Sequence, residues 1–154
     1  MTTRGAFNEI VPGRIYQRGQ IYTWTLEKKR SAFEEHGITA VLNLWPKTDP
    51  EMACLNLDWY LQLQCPRSEE TLRPAVLRAA EYAADWVRAG SPGALLVLCE
   101  AGKTRSVFFC ILTVAKLHHI TFTEAQALVL AAVPRSSLKG FMENWIQDHS
   151  GGEK

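Results

Sequence analysis

Apolar and polar positions alternate with two different periods along this chain, and the switches between them mark its elements. Ile10-Val11, then Pro12-Gly13, then Arg14-Ile15-Tyr16-Gln17 reads as two short strands around a tight turn. Leu26 to His36 reads as a helix whose modest apolar stripe comes from Leu26, Phe33 and the alkyl stems of the lysines. Gly37 follows as a C′ residue, because glycine reaches the left-handed conformation without a Cβ clash. Ile38 to Leu44 is a strand that Pro46 stops. Trp59 to Cys65 alternates, with Trp59, Leu61, Leu63 and Cys65 on one side and Tyr60, Gln62 and Gln64 on the other, so it predicts a half-buried strand.

Pro74 to Ala89 predicts a helix with Val76, Leu77, Ala80, Ala84 and Val87 facing inward, broken by Ser91-Pro92-Gly93. Ala94 to Leu98 is short and continuously apolar, which predicts a central strand. Arg105 to Leu117 is apolar nearly all round and predicts a helix buried in the core. Thr121-Phe122-Thr123-Glu124 is a capping box that starts a helix running to about Val133. Leu138 to Asp148 is the last helix. The order predicts an α/β domain with a central mixed sheet flanked by helices in three layers. One domain is expected over residues 1–154, with an ordered core of about 8–149 and loose ends at Met1 to Phe7 and Ser150 to Lys154.

Composition narrows the function classes. The net charge of +1 offers no global basic field, so no nucleic-acid partner is expected. The most apolar stretch, Val107 to Leu117, is shorter than the roughly 20 residues a bilayer needs, so no membrane span is expected. The first residues lack the apolar run of a signal peptide, and the expectation is a cytoplasmic, monomeric protein. Cys54, Cys65, Cys99 and Cys110 form no C-x-x-C pair, and with His36, His118, His119 and His149 they make no zinc pattern. Neither a metal nor a cofactor is expected.

Candidate chemistry concentrates between the central strand and the buried helix, at Cys99-Glu100-Ala101-Gly102-Lys103-Thr104-Arg105-Ser106. A cysteine there faces the unsatisfied N–H groups of a loop and a helix N-terminus, which favour thiolate over thiol. Gly102 permits a loop that turns successive amides inward as an anion nest. Arg105 offers a planar fork for two oxygens of one phosphate. Ser106 can donate to the thiolate.

This Cys99-x5-Arg105-Ser106 arrangement resembles the signature of the cysteine-dependent protein tyrosine and dual-specificity phosphatases. The resemblance extends to Gly13 to Gln20, to Gly37 to Leu44, and to the segment from Ala125 through Pro134-Arg135 to Phe141 and Trp145, so it covers about Ile10 to Trp145. It implies a tyrosine/dual-specificity phosphatase-like fold and hydrolysis of a phosphorylated protein or another phosphoester. By that resemblance Cys99 attacks phosphorus to give a cysteinyl-phosphate. The amides from Glu100 through Ala101, Gly102, Lys103 and Thr104 to Arg105, with the Arg105 guanidinium, hold the phosphoryl oxygens. Ser106 eases the departure of the thiolate.

Two features depart from the family. Leu98 stands where a histidine usually precedes the nucleophile, and Pro66 to Thr71 carries no aspartate to serve as general acid. Glu69 and Glu70 are the candidates to replace it, against a reading of both as helix N-terminal acids. Lys103 could attract a polyanionic substrate such as a phosphoinositide. Arg135 and Lys139 are candidates for the pocket rim, with solvation as the default. Cys110 reads as a core residue, and Cys54 and Cys65 as inert thiols rather than disulfide partners of Cys99. The alternatives are a weak or inactive phosphate-binding pseudophosphatase and a rhodanese-like sulfur-transfer domain.

Overall fold

The structure is a computed structural model and describes residues 7–150. Its strands are β1 (Asn8–Val11), β2 (Ile15–Gly19), β3 (Ile38–Asn43), β4 (Trp59–Gln62) and β5 (Ala94–Cys99). Its helices are α1 (Leu26–His36), α2 (Pro74–Arg88), α3 (Arg105–His118), α4 (Phe122–Ala132) and α5 (Gly140–Ser150). Single 3-10 turns lie at Pro50–Cys54 and Ser68–Leu72, neither of which the apolar pattern announces.

The sheet is mixed, in the order β1-β2-β5-β3-β4. Only the β1–β2 hairpin is antiparallel; β2, β5, β3 and β4 run parallel. β5 is central and buried throughout, as its unbroken apolar run predicts. Alternation divides its residues between two cores. Leu95, Val97 and Cys99 face α2 and α3, while Leu96 and Leu98 pack with Tyr16, Phe33 and Val41 on the α1 side. Trp59, Leu61 and Leu63 share the α2–α3 face and Tyr60 the other, which matches the predicted alternation, but the strand closes at Gln62 rather than Cys65.

The helix signals also carry through. Gly37 caps α1 at φ +68°. Thr121 Oγ1 accepts from Glu124 N at 3.0 Å, and Thr121 N donates to Glu124 Oε1 at 2.9 Å. α3 is buried without interruption from Ser106 to Ala115, the helix surrounded by the rest of the fold. α5 starts at Gly140 rather than Leu138 and runs to Ser150.

The expected loose ends lie mostly outside the described residues, and their two described members are engaged. Phe7 stacks on His36 at 4.4 Å. Ser150 is buried, and its Oγ accepts from Thr123 N at 2.9 Å. Both were expected to be loose because end position says nothing about which tertiary partners wait for a side chain.

Lys29 joins Phe33 on the buried side of α1, where the expected stripe put the lysine stems, but its ammonium is buried as well: it is 1% exposed, with Nζ 2.8 Å from Asp49 Oδ2 and 2.6 Å from Glu51 Oε1. This pins the loop after β3 to α1. Burial draws the ammonium pKa down, but the bonds to Asp49 and Glu51 outweigh it and hold Lys29 above its ordinary value. The pair therefore stabilises the fold fully below the ordinary lysine range, about 10.4, and its contribution fades as pH rises beyond it. Lys29→Met leaves Asp49 buried with no counter-charge and should lower the unfolding free energy by about 3 kcal/mol in urea titration. Adding Asp49→Leu should recover most of that loss.

Candidate active site

The loop from Cys99 to Ser106 leaves the carboxyl end of the central strand and enters α3, outside the edge of the sheet where open α/β folds bind their ligands. Its shape is set by contact with β2. Gly102 sits at φ +74°, and a Cβ there would lie 2.4 Å from Gly19 N and 2.8 Å from Arg18 C. Reciprocally, a Cβ on Gly19 would lie 2.9 Å from Glu100 O. Two glycines thus let two backbones touch. Gln20 N donates to Glu100 O at 3.1 Å and holds the contact from the side.

The loop's carbonyls at Glu100, Gly102 and Lys103 are spent on the protein. Gln17 Nε2 donates to Gly102 O at 2.7 Å, and Ser137 N donates to Lys103 O at 2.8 Å. Its amides are not spent: among the described residues, the N–H groups of Ala101 to Thr104 donate to no protein acceptor. Thr104 is the N-cap of α3, yet its hydroxyl donates to Ser137 O at 2.6 Å rather than accepting from the first turn. The N-terminus of α3 is left without a side-chain cap. Unpaired amides plus the positive end of a helix dipole make a seat for an anion.

Cys99 lies at the floor of this loop, 2% exposed, with Sγ 3.0 Å from Ser106 Oγ. Arg105 Nη1 donates to Cys65 O, and Arg105 Nη2 is 3.5 Å from Glu100 Oε1. The guanidinium is therefore held between the loop and the segment after β4. Glu100, Ala101 and Lys103 are exposed, Gly102 and Ser106 are buried, and Thr104 and Arg105 are half-buried. The structure brings Cys99, Arg105, Ser106 and the loop amides into one site.

Glu69 and Glu70 lie in the 3-10 turn that follows Cys65. Glu69 is exposed. Glu70 is half-buried, and its Oε1 accepts from Arg67 N at 3.4 Å. Burial pushes the Cys65 thiol up; Arg73, whose Nη2 is 3.6 Å from Sγ, pulls it down, and Glu70 adds to the rise. Cys110 is fully enclosed in α3, and burial pushes its thiol well above the ordinary range. All four cysteines are free thiols, Cys54 on the surface and the other three buried. Arg135 and Lys139 are exposed. His118 ends α3, and His119 takes the left-handed cap at φ 56°.

Three contributors escaped the sequence reading: Gln17, Ser137 and the carbonyl of Cys65. The last two act through backbone atoms, which residue types do not reveal. Gln17 did leave a signal. Ile15, Gln17 and Gly19 fall on the core face of β2, and a glutamine on that face must satisfy its amide inside the protein.

No protein-family model and no curated protein sequence matches the chain. Solved structures do. Human DUSP28 superposes with a TM-score of 0.69 at 17% identity, over 93% of this chain and 91% of that one. A mouse putative dual specificity phosphatase complexed with zinc tungstate gives 0.67 at 19% identity, over 99% and 92%. PTPMT1 in complex with PI(5)P gives 0.71 at 13% identity, over 94% and 94%. The chain has the fold of the tyrosine and dual-specificity phosphatases.

Gly102→Ala adds a backbone clash to a left-handed conformation and should lower stability by about 2–4 kcal/mol in thermal unfolding. Gly13, at φ +70° with nothing within 4 Å, supplies the control: Gly13→Ala should cost only about 1 kcal/mol.

Proposed function

We propose that this protein is a phosphoester hydrolase of the tyrosine/dual-specificity type, its whole chain serving as one catalytic domain. The observation that carries the reading is the juxtaposition of the Cys99 thiol, the Ser106 hydroxyl at 3.0 Å and a run of loop amides with no protein acceptor among the described residues, at a helix N-terminus without a side-chain cap. A tetrahedral oxyanion matches that donor set, and Arg105 adds a charged fork at its edge. The fold shared with phosphatases supports the same chemistry. A rhodanese-like sulfur transfer has only the loop cysteine in its favour.

The mechanism follows from the placement of the groups. Cys99 Sγ, as thiolate, attacks phosphorus in line with the leaving oxygen. The P–O bond breaks as the S–P bond forms, and the leaving oxygen takes a proton from a carboxyl group. Glu70 is the better candidate for that proton, because it is half-buried in the turn after Cys65 while Glu69 is exposed. Glu69 is the alternative. Water then attacks phosphorus and gives a proton to the same carboxylate. The S–P bond breaks with its electron pair returning to Sγ, eased by a hydrogen bond from Ser106. The loop amides and Arg105 hold the equatorial oxygens in both steps.

A phosphate-binding protein with little turnover is the second reading. It is favoured by Leu98, which is buried on the α1 side of the sheet where the family's histidine would stand. Exposed Lys103 at the loop tip favours polyanionic phosphoesters, and a relative of this fold is seen with PI(5)P.

Hydrolysis of para-nitrophenyl phosphate should vanish in Cys99→Ser and fall at least about a hundredfold in Arg105→Lys. Glu70→Gln should flatten the alkaline limb of the pH–rate profile, and Glu69→Gln should leave it in place. Phosphate binding by Cys99→Ser with no turnover by the native chain would establish the second reading instead.

A further inference from the structure

Gln17 is a fully buried polar side chain beneath the loop. It is 0% exposed, it lies on the core face of β2, and the mechanism above makes no use of it. Its carboxamide has three close partners. Asn8 Nδ2 donates to Gln17 Oε1 at 3.0 Å. Gln17 Nε2 is 2.7 Å from Gly102 O and 2.7 Å from Ser106 Oγ.

These contacts fix the amide's orientation. Turning it over would set its oxygen against the Gly102 carbonyl, two acceptors facing each other without water. Nε2 is therefore the nitrogen, and an amide nitrogen only donates. It has two protons, one for Gly102 O and one for Ser106 Oγ. Ser106 must accept from Gln17, and its single hydroxyl proton is left to be given elsewhere. Cys99 Sγ, at 3.0 Å, is the acceptor in reach. Ser106 is fully buried and Cys99 nearly so, so water does not compete for that proton.

We infer that Gln17 is a positioning residue that locks the Ser106 hydroxyl with its proton on Cys99 Sγ, completing a directed chain Asn8–Gln17–Ser106–Cys99. Every donor in that chain points toward the sulfur, so the arrangement stabilises negative charge there and opposes a neutral thiol that needs to donate. The same amide holds Gly102 O, so one side chain sets both the loop backbone and the rotor beneath it. This inference rests on Cys99 being the reactive thiol of the proposed function, but its test does not require turnover.

The test is the pH dependence of Cys99 alkylation by iodoacetamide, read at that residue by peptide mass spectrometry. Four proteins are compared: native, Gln17→Met, Ser106→Ala and the double variant. Gln17→Met keeps the length and removes the donor. It should raise the midpoint of the alkylation curve by about one unit, because a hydrogen bond to a charged sulfur is lost or misdirected. The same substitution should produce a clearly smaller rise when Ser106 is already alanine, since the part of its effect that runs through that hydroxyl is then gone and only the bond to Gly102 O is lost.

The other charged and titratable groups around the sulfur are unchanged in all four. They are Glu100 and Arg105 in the loop, Cys65 behind Arg105, and Cys110 in α3, whose thiol feels Cys99. An equal rise with and without Ser106, or no rise in either background, would overturn the assignment. If Gln17→Met does not fold, Asn8→Ala releases the same amide from the part-buried edge strand. It should raise the midpoint by less, again with the larger rise while Ser106 is present; an unmoved midpoint overturns the proposal. Alkylation that titrates as described in a protein with no phosphatase activity would sustain the role of Gln17 and defeat only the hydrolase reading.

Discussion

Where β2 ends and the Cys99–Ser106 loop begins its turn, two main chains approach until only hydrogen fits between them. Gly19 and Gly102 are the residues that allow it, and the rest of the site takes its shape from that contact. With Gly102 pressed against β2, its carbonyl falls on the Gln17 amide and Glu100 O meets Gln20 N. The carbonyls of Glu100, Gly102 and Lys103 accept from the protein, while among the described residues the N–H groups of Ala101 to Thr104 find no protein acceptor. The donor surplus that an anion nest requires is thus a by-product of packing.

Electrostatics then concentrates what packing has arranged. The Thr104 hydroxyl is drawn off to Ser137 O, so the first turn of α3 keeps its donors. Arg105 is balanced between Cys65 O and the Glu100 carboxylate. The Glu100 carboxylate beside the guanidinium keeps it from standing as a bare, largely buried cation, which would be costly.

Much of the fold was legible in the chain. The apolar run of β5, the alternation of β4, the all-round hydrophobicity of α3 and the Thr121–Glu124 box each report a local periodicity or a local hydrogen bond, and local physics is what a sequence displays. The loop residues were legible for a similar reason, since cysteine, glycine and arginine at fixed spacing have one strand–helix junction to occupy. What stayed hidden is non-local. The stripe of α1 counted the lysine stems but gave no sign of the buried ion pair, because the partners of Lys29, Asp49 and Glu51, are some twenty positions away. Ser137 and Cys65 serve the site through carbonyl oxygens that any residue type carries. Phe7 and Ser150 looked like fraying ends because their partners belong to other elements.

The burial of α3 carries a consequence for how such a site can change. From Ser106 to Ala115 the helix is enclosed, and the strand that delivers Cys99 is the most interior in the sheet. Opening α3 or β5 displaces the sulfur, the hydroxyl and the loop together, so loss of the site is tied to unfolding of the core. The residues at the base of the loop are therefore residues of the core, and a substitution there is read out first as lost stability. Exposed positions such as Lys47 and Lys139 carry no such tie, so the two kinds of position can change independently.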